Sequence, residues 1–182
     1  MNALLSLYDR ASHSLTRMAP AALPLLARFA FAAVLAGYFW NSARTKLGEG
    51  LLGFLHPSDG AYIQIFPKVV EAANYDVSQL TLFHWAVVEA GMLAELILPL
   101  VLILGLFTRL AALGMIGFTL VQSLTDVFGH GVGGDDLGRW FDAASGALIW
   151  DQRTLWVALF ALLFFLGAGP LSLDRWLARR RR

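Results

Sequence analysis

The sequence predicts an all-α membrane protein, a polytopic bundle of four transmembrane helices with both termini cytoplasmic. Three observations predict it. The 182 residues are 58% hydrophobic and only 15% charged, with a mean hydropathy of +0.62, which is more apolar surface than a soluble domain of this size can hide. At about 1.5 Å per residue, four apolar runs are long enough to cross a hydrocarbon core of about 30 Å. Lys and Arg are divided unequally between alternate connections, which sets an orientation.

The first run, 23–41, reads LPLLARFAFAAVLAGYFWN and ends in Tyr38 and Trp40, aromatic residues of the kind that mark a membrane interface. Arg10 and Arg17 precede it, as in a signal peptide, but Asn41-Ser42-Ala43 lacks the small-x-small cleavage pattern, so the run reads as a retained helix. The second run, 83–107, contains Pro99, which a membrane helix tolerates. The third, 108–128, follows with almost no linker, so the second and third form a tight antiparallel hairpin. The fourth, 154–170, ends in Gly167-Ala168-Gly169-Pro170, a helix stop.

The chain divides into an N-terminal segment 1–20, a membrane domain 21–176 and a basic tail 177–182. Residues 1–20 have two readings: an amphipathic helix lying in the interface, or a frayed basic tail. The tail Arg179–Arg182 is attracted to anionic lipid. With the termini on one side, that side holds nine of the fourteen basic residues, and of the acidic ones outside the spans only Asp9 and Asp174. Both ends are therefore read as cytoplasmic. The long outer loop 42–82 has turn signals at His56-Pro57-Ser58-Asp59-Gly60, and Ile63–Ala73 reads as a short helix on the membrane. The second outer loop, 129–153, is rich in glycine and aspartate. No internal repeat is evident.

Composition also excludes functions. The net charge is +1, so no field favours nucleic acid. There is no cysteine, which rules out disulfides, thiolate metal sites and iron–sulfur ligation by this chain. The absence of a repeat disfavours a small-solute transporter.

Ionisable groups inside a bilayer cost about 2.5–3.5 kcal/mol each on insertion scales, so each calls for a reason. They are Arg28, Glu89, Glu95 and Asp126, with His84 and His130 at the outer margin. His84, Val88, Gly91 and Glu95 share one face of the second helix; Thr119, Gln122, Asp126 and His130 recur at spacings of three and four on the third. The two helices together frame a polar cleft opening outward. A quinone headgroup suits such a cleft, because its carbonyls need donors and its reduction needs proton exchange. Glu95 and Asp126 are the candidate catalytic groups, and His84, Glu89, Gln122, His130 and Arg28 the candidate quinone-binding ones. Two His could instead ligate haem iron or, with Glu89 and Asp126, a metal, but no metal site is assigned. The bland alternative is that the polar residues only hydrogen-bond between helices. Arg28 is read as reaching the inner headgroups in preference to Glu95, and Arg44 and Lys46 as interfacial anchors.

Three segments resemble the DoxX family of small four-helix bacterial membrane proteins. They are Arg28 with Gly37 and Lys46-Leu47; Glu95 leading through Leu104-Gly105-Leu106-Phe107-Thr108-Arg109-Leu110-Ala111; and Gly167-Ala168-Gly169-Pro170-Leu171-Ser172-Leu173-Asp174. The resemblance implies a multi-pass bacterial inner-membrane protein tied to redox metabolism: a membrane subunit of a quinone-linked oxidoreductase or oxidative-stress complex, with quinone as a non-covalent cofactor. The implied partners are the lipid bilayer and a redox partner protein or a second copy. The alternative is a noncatalytic scaffold or assembly factor that docks a periplasmic partner through its outer loop.

Overall fold

The computed structural model describes residues 2–50 and 52–180, so Met1, Leu51 and the last two arginines of the expected basic tail lie outside the described residues. The elements are α1 (Asn2–Val34), α2 (Ala36–Lys46), α3 (Asp59–Ile65), α4 (Pro67–Ala72), α5 (Leu82–Leu104), α6 (Thr108–Leu124), α7 (Gly134–Leu137), α8 (Arg153–Leu166) and α9 (Leu173–Arg180). A 3-10 turn occupies Val77–Gln79, and wide π turns occupy Thr125–Gly129 and Leu148–Gln152. Four helical stretches are long and apolar enough to cross a membrane, beginning at Leu4, Leu82, Thr108 and Leu148.

The first crossing is longer than its apolar run. The 33 residues of α1 correspond to about 50 Å of helix, well beyond a 30 Å core. Residues 2–20 are helical but continue into the span with no break at residue 20. Leu4, Leu5, Leu7, Tyr8 and Leu15 are exposed along this extension. At the other end the ladder runs through the joint at Leu35, with Leu35 N–H bonded to Phe31 O and Phe39 N–H to Leu35 O. One rod therefore reaches Lys46, and it buries Ala27, Phe31, Leu35, Phe39, Ala43 and Lys46 on one face.

The four crossings form a ring, in which α1 and α2 pack on α5 and α8, and α6 packs on those same two helices. Phe31 meets Phe160 edge to face at 5.7 Å, and Phe39 meets Phe118 and Trp156 at 5.9 Å. Leu102, Ala112, Met115 and Leu163 complete this buried core. Outward-facing Phe29, Ile97, Leu113, Leu120, Leu155 and Phe165 stay exposed, the surface a bilayer covers. The expected hairpin is present: Gly105 takes φ 65 and Phe107 φ 46 between α5 and α6.

The end of the bundle that carries the termini is closed by two charged staples. Arg28 donates to the carbonyls of Leu102 (3.1 Å), Ala168 (3.0 Å), Leu171 (2.6 Å) and Ile103. Leu102 and Ile103 stand in the last turn of α5, where the guanidinium meets the negative end of the dipole, and Ala168 and Leu171 in the turn between α8 and α9. Asp174 does the converse, accepting from Phe107 N–H (2.7 Å), Thr108 N–H (3.0 Å) and the Thr108 hydroxyl (2.8 Å) at the start of α6. Gly105 must be glycine here, because a Cβ would stand 2.6 Å from Ser172 Cβ and 2.9 Å from Arg28 Cζ.

At the opposite, loop end, the first long loop folds back on the bundle. Its one expected helix is two, broken at Phe66, with Pro67 in the first turn of α4 as proline prefers. α3 packs on α2 and α5.

Candidate functional site

A cleft of about 570 Å³ lies between α2, α5 and α6 in the loop-end half of the bundle. Small residues create it: Ala90, Gly91 and Ala94 on α5 face Gly114 and Gly117 on α6. A Cβ at Gly117 would meet nothing within 4 Å, whereas one at Gly114 would crowd Leu98 at 3.1 Å. The space is therefore open beside Gly117.

Glu95 is 3% exposed and lines this cleft. Lys46 lies against it, with Nζ 3.1 and 2.9 Å from the two carboxylate oxygens, and Ser42 Oγ donates to Oε1 at 3.0 Å. Lys46 also donates to Ser42 Oγ (2.7 Å) and to its carbonyl (3.3 Å). The interfacial-anchor reading of Lys46 is thus corrected, since its ammonium is buried and paired. The signal was present in the sequence. The stripe Ala27, Phe31, Leu35, Phe39, Ala43 repeats every fourth residue, and the next position on that face is Lys46.

Gln122 and Asp126 line the opposite wall. Gln122 Nε2 donates to the Tyr38 hydroxyl at 2.6 Å, while its buried Oε1 has no partner. Asp126 is bound by Arg153, which also donates to Ser123 Oγ at 3.0 Å. Arg153, assigned from the sequence to the outer loop, is instead a buried residue at the start of α8. Here too a stripe pointed the way, through Arg153, Trp156, Phe160 and Leu163. Asp126 lies in one π turn and Arg153 directly follows the other, features that recur at functional sites.

Of the predicted residues, Glu95, Gln122, Asp126 and His130 come together around the cleft. Three do not. Arg28 staples the far end, donating to four carbonyls there instead of meeting Glu95. His84 closes its own helix, with Nδ1 accepting from Thr81 N–H at 3.1 Å, and its ring packs edge-on to Phe66 at 4.9 Å. Glu89 does not line the cleft, because six residues separate it from Glu95, roughly 240° around the helix. It is 7% exposed, and neither carboxylate oxygen has a hydrogen-bond partner. His56 and Tyr62 lie within electrostatic reach of it. Burial, with Asp59 and Glu89 adding negative charge nearby, pushes the Tyr62 phenol above its ordinary value. Thr119 likewise leaves the expected stripe, giving its hydroxyl to Met115 O at 2.8 Å.

His130 acts as a latch, with Nε2 2.8 Å from the Gln64 carbonyl of α3. Gln64 and Ile65 line the cleft, so this contact draws α3 across its loop end. On the far side of the Asp126–Arg153 pair, Trp140 and Trp150 border a second, apolar groove that shares no residue with the cleft. Among the described residues no three His, Cys, Asp or Glu side chains converge as a metal-binding set.

No curated protein and no solved structure matches the chain. The DoxX family model matches residues 23–125, more than half of the 182 residues. That stretch carries the rod from residue 23 to Lys46, the hairpin and its glycine turn, and Glu95 and Gln122 on the two walls of the cleft, with Asp126 and His130 just beyond it, so the chain belongs to the DoxX family.

Proposed function

We propose that this DoxX membrane protein is a subunit of a quinone-linked oxidoreductase and holds a quinone headgroup in the cleft between α5 and α6. One observation carries the reading: a buried Lys46–Glu95 pair borders open space inside an apolar bundle. A buried ion pair contributes little net stability, since desolvation offsets its attraction. Pairing alone gives no reason to leave a cavity beside it. A headgroup in that space would find a donor in the Tyr38 hydroxyl, whose oxygen Gln122 Nε2 holds in place.

Reduction adds two electrons and two protons to the two carbonyl oxygens. In this reading the electrons come from a carrier in a partner chain. Glu95, steadied by Lys46 and Ser42, exchanges the proton at one carbonyl, and Asp126, steadied by Arg153, at the other. In this reading both termini lie in the cytoplasm of a bacterial inner membrane, which the excess of basic residues near them supports, and the cleft opens toward the outer side.

The scaffold reading retains one supporting observation, the fully exposed Phe141 with φ 65 in the second outer loop. The first loop, by contrast, is folded onto the bundle and supplies the cleft with Gln64 and Ile65.

The test is gentle extraction of the protein from its membrane and identification of the quinones and proteins that accompany it, repeated with Glu95→Gln and Asp126→Asn. Quinone should accompany the wild type and be depleted in both variants. If none accompanies it and both variants are fully active in cells, the redox reading fails.

A further inference from the structure

Resting on the quinone reading, we infer that the ligand of the cleft carries a long apolar tail, which leaves sideways into the bilayer through a slot between α4 and α6. The slot is a cavity of about 390 Å³ that shares Ile65, Val121 and Thr125 with the cleft, so the two spaces adjoin along one wall. Its character changes along this path. The cleft holds Glu95, Lys46, Gln122 and Asp126; the slot is bordered by Phe66, Pro67, Val69, Leu124 and Phe128, with Lys68 its one charged residue.

The far edge of the slot meets lipid. Val121, Leu124 and Phe128 are 58%, 56% and 67% exposed on a helix that crosses the membrane. The near edge is held by close contact: a Cβ on Gly129 would stand 3.1 Å from Pro67 Cγ, so glycine lets α4 lie directly against the end of α6. The His130–Gln64 contact meanwhile ties α3 across the loop end.

A polar chamber opening through an apolar slot onto lipid matches a ligand with a polar head and a hydrocarbon tail. A polyisoprenyl quinone has that form, and each methylene of its tail kept from water adds about 0.8 kcal/mol. The groove beneath Trp140 and Trp150 cannot serve, because the Asp126–Arg153 pair stands between it and the cleft.

Val69 borders the slot but neither the cleft nor the second groove, and is 40% exposed, so Val69→Trp narrows the slot without disturbing the core. The experiment uses the full chain in lipid nanodiscs. It compares a polyisoprenyl benzoquinone with the same ring bearing a methyl group in place of the tail, and a naphthoquinone pair likewise, each affinity referred to the compound's concentration in the membrane. Wild type should bind the tailed compound at least tenfold more tightly. Val69→Trp should abolish that advantage and leave the methyl compound unchanged. Equal wild-type affinities overturn the slot, as does a variant in which both affinities fall together or neither does. Wild type binding no compound overturns the quinone reading and the slot with it.

Discussion

The two ends of this bundle spend charge differently. At the termini end, Arg28 and Asp174 are satisfied mainly by backbone groups at and just beyond helix ends, and the cavity of about 400 Å³ beside Asp174 is lined by none of the residues of the two ion pairs. At the loop end, Lys46–Glu95 and Asp126–Arg153 are satisfied by each other beside a cleft, with Gln122 Oε1 and Arg153 Nε left without partners. A charge that closes a helix terminus needs no ligand to explain it. A pair of opposite charges bordering empty space does, because apolar residues would fill that space at no desolvation cost. The contrast separates the residues that hold the fold from those available for chemistry, although all of them share the same rarity inside a membrane.

Four measurements sharpen or break this contrast. The largest effect is expected for Glu95→Leu, which strands the Lys46 ammonium in the core and should cost about 3–5 kcal/mol of stability. The double variant Lys46→Met/Glu95→Leu should regain most of it while still failing to retain quinone. Chemical denaturation in detergent reads both, and a double variant no more stable than the single one would mean that the pair is not the source of the loss. Arg28→Met should cost about 2 kcal/mol or more, since charge-assisted bonds to carbonyls are lost, yet quinone retained per folded molecule should not change. A loss of binding there would merge the two ends into one functional unit.

Gly117→Phe is the mirror case. Its side chain enters open space, so melting should be unaltered or slightly raised, while quinone affinity falls at least tenfold, or about 1.4 kcal/mol. Tyr62 provides the smallest effect. Its folded-state value is raised, so its contribution to stability is fully present below the unfolded phenol's value of about 10 and is lost as pH rises through the folded one. Alkaline melting curves of wild type should therefore fall off more steeply than those of Tyr62→Phe, and identical curves would contradict the raised value.

The cleft was partly legible in the sequence. Glu95, Gln122, Asp126 and His130 follow from helical spacing along two neighbouring helices, because a helix of known register places its own side chains. Their counter-charges were harder to see, because Lys46 and Arg153 sit at the ends of apolar runs, where a charged residue reads as an anchor. The buried stripes leading to each were present, but a stripe shows its meaning only once the helix is known to continue. Glu89 shows the opposite error: depth alone put it in the cleft, and rotation about α5 takes it out.

By itself, then, the sequence determined four crossings, the α5–α6 hairpin, the grouping of costly polar residues on those helices and the family resemblance. These rest on local quantities: run length, period, and glycine at a turn that tolerates no Cβ. Only the tertiary structure decided that Lys46 meets Glu95, that Arg153 meets Asp126, that Arg28 staples the far end, and that the first long loop folds over the cleft. Each of those joins residues at least 27 positions apart, and pairing at such separations depends on how whole helices pack against one another, which no local pattern encodes.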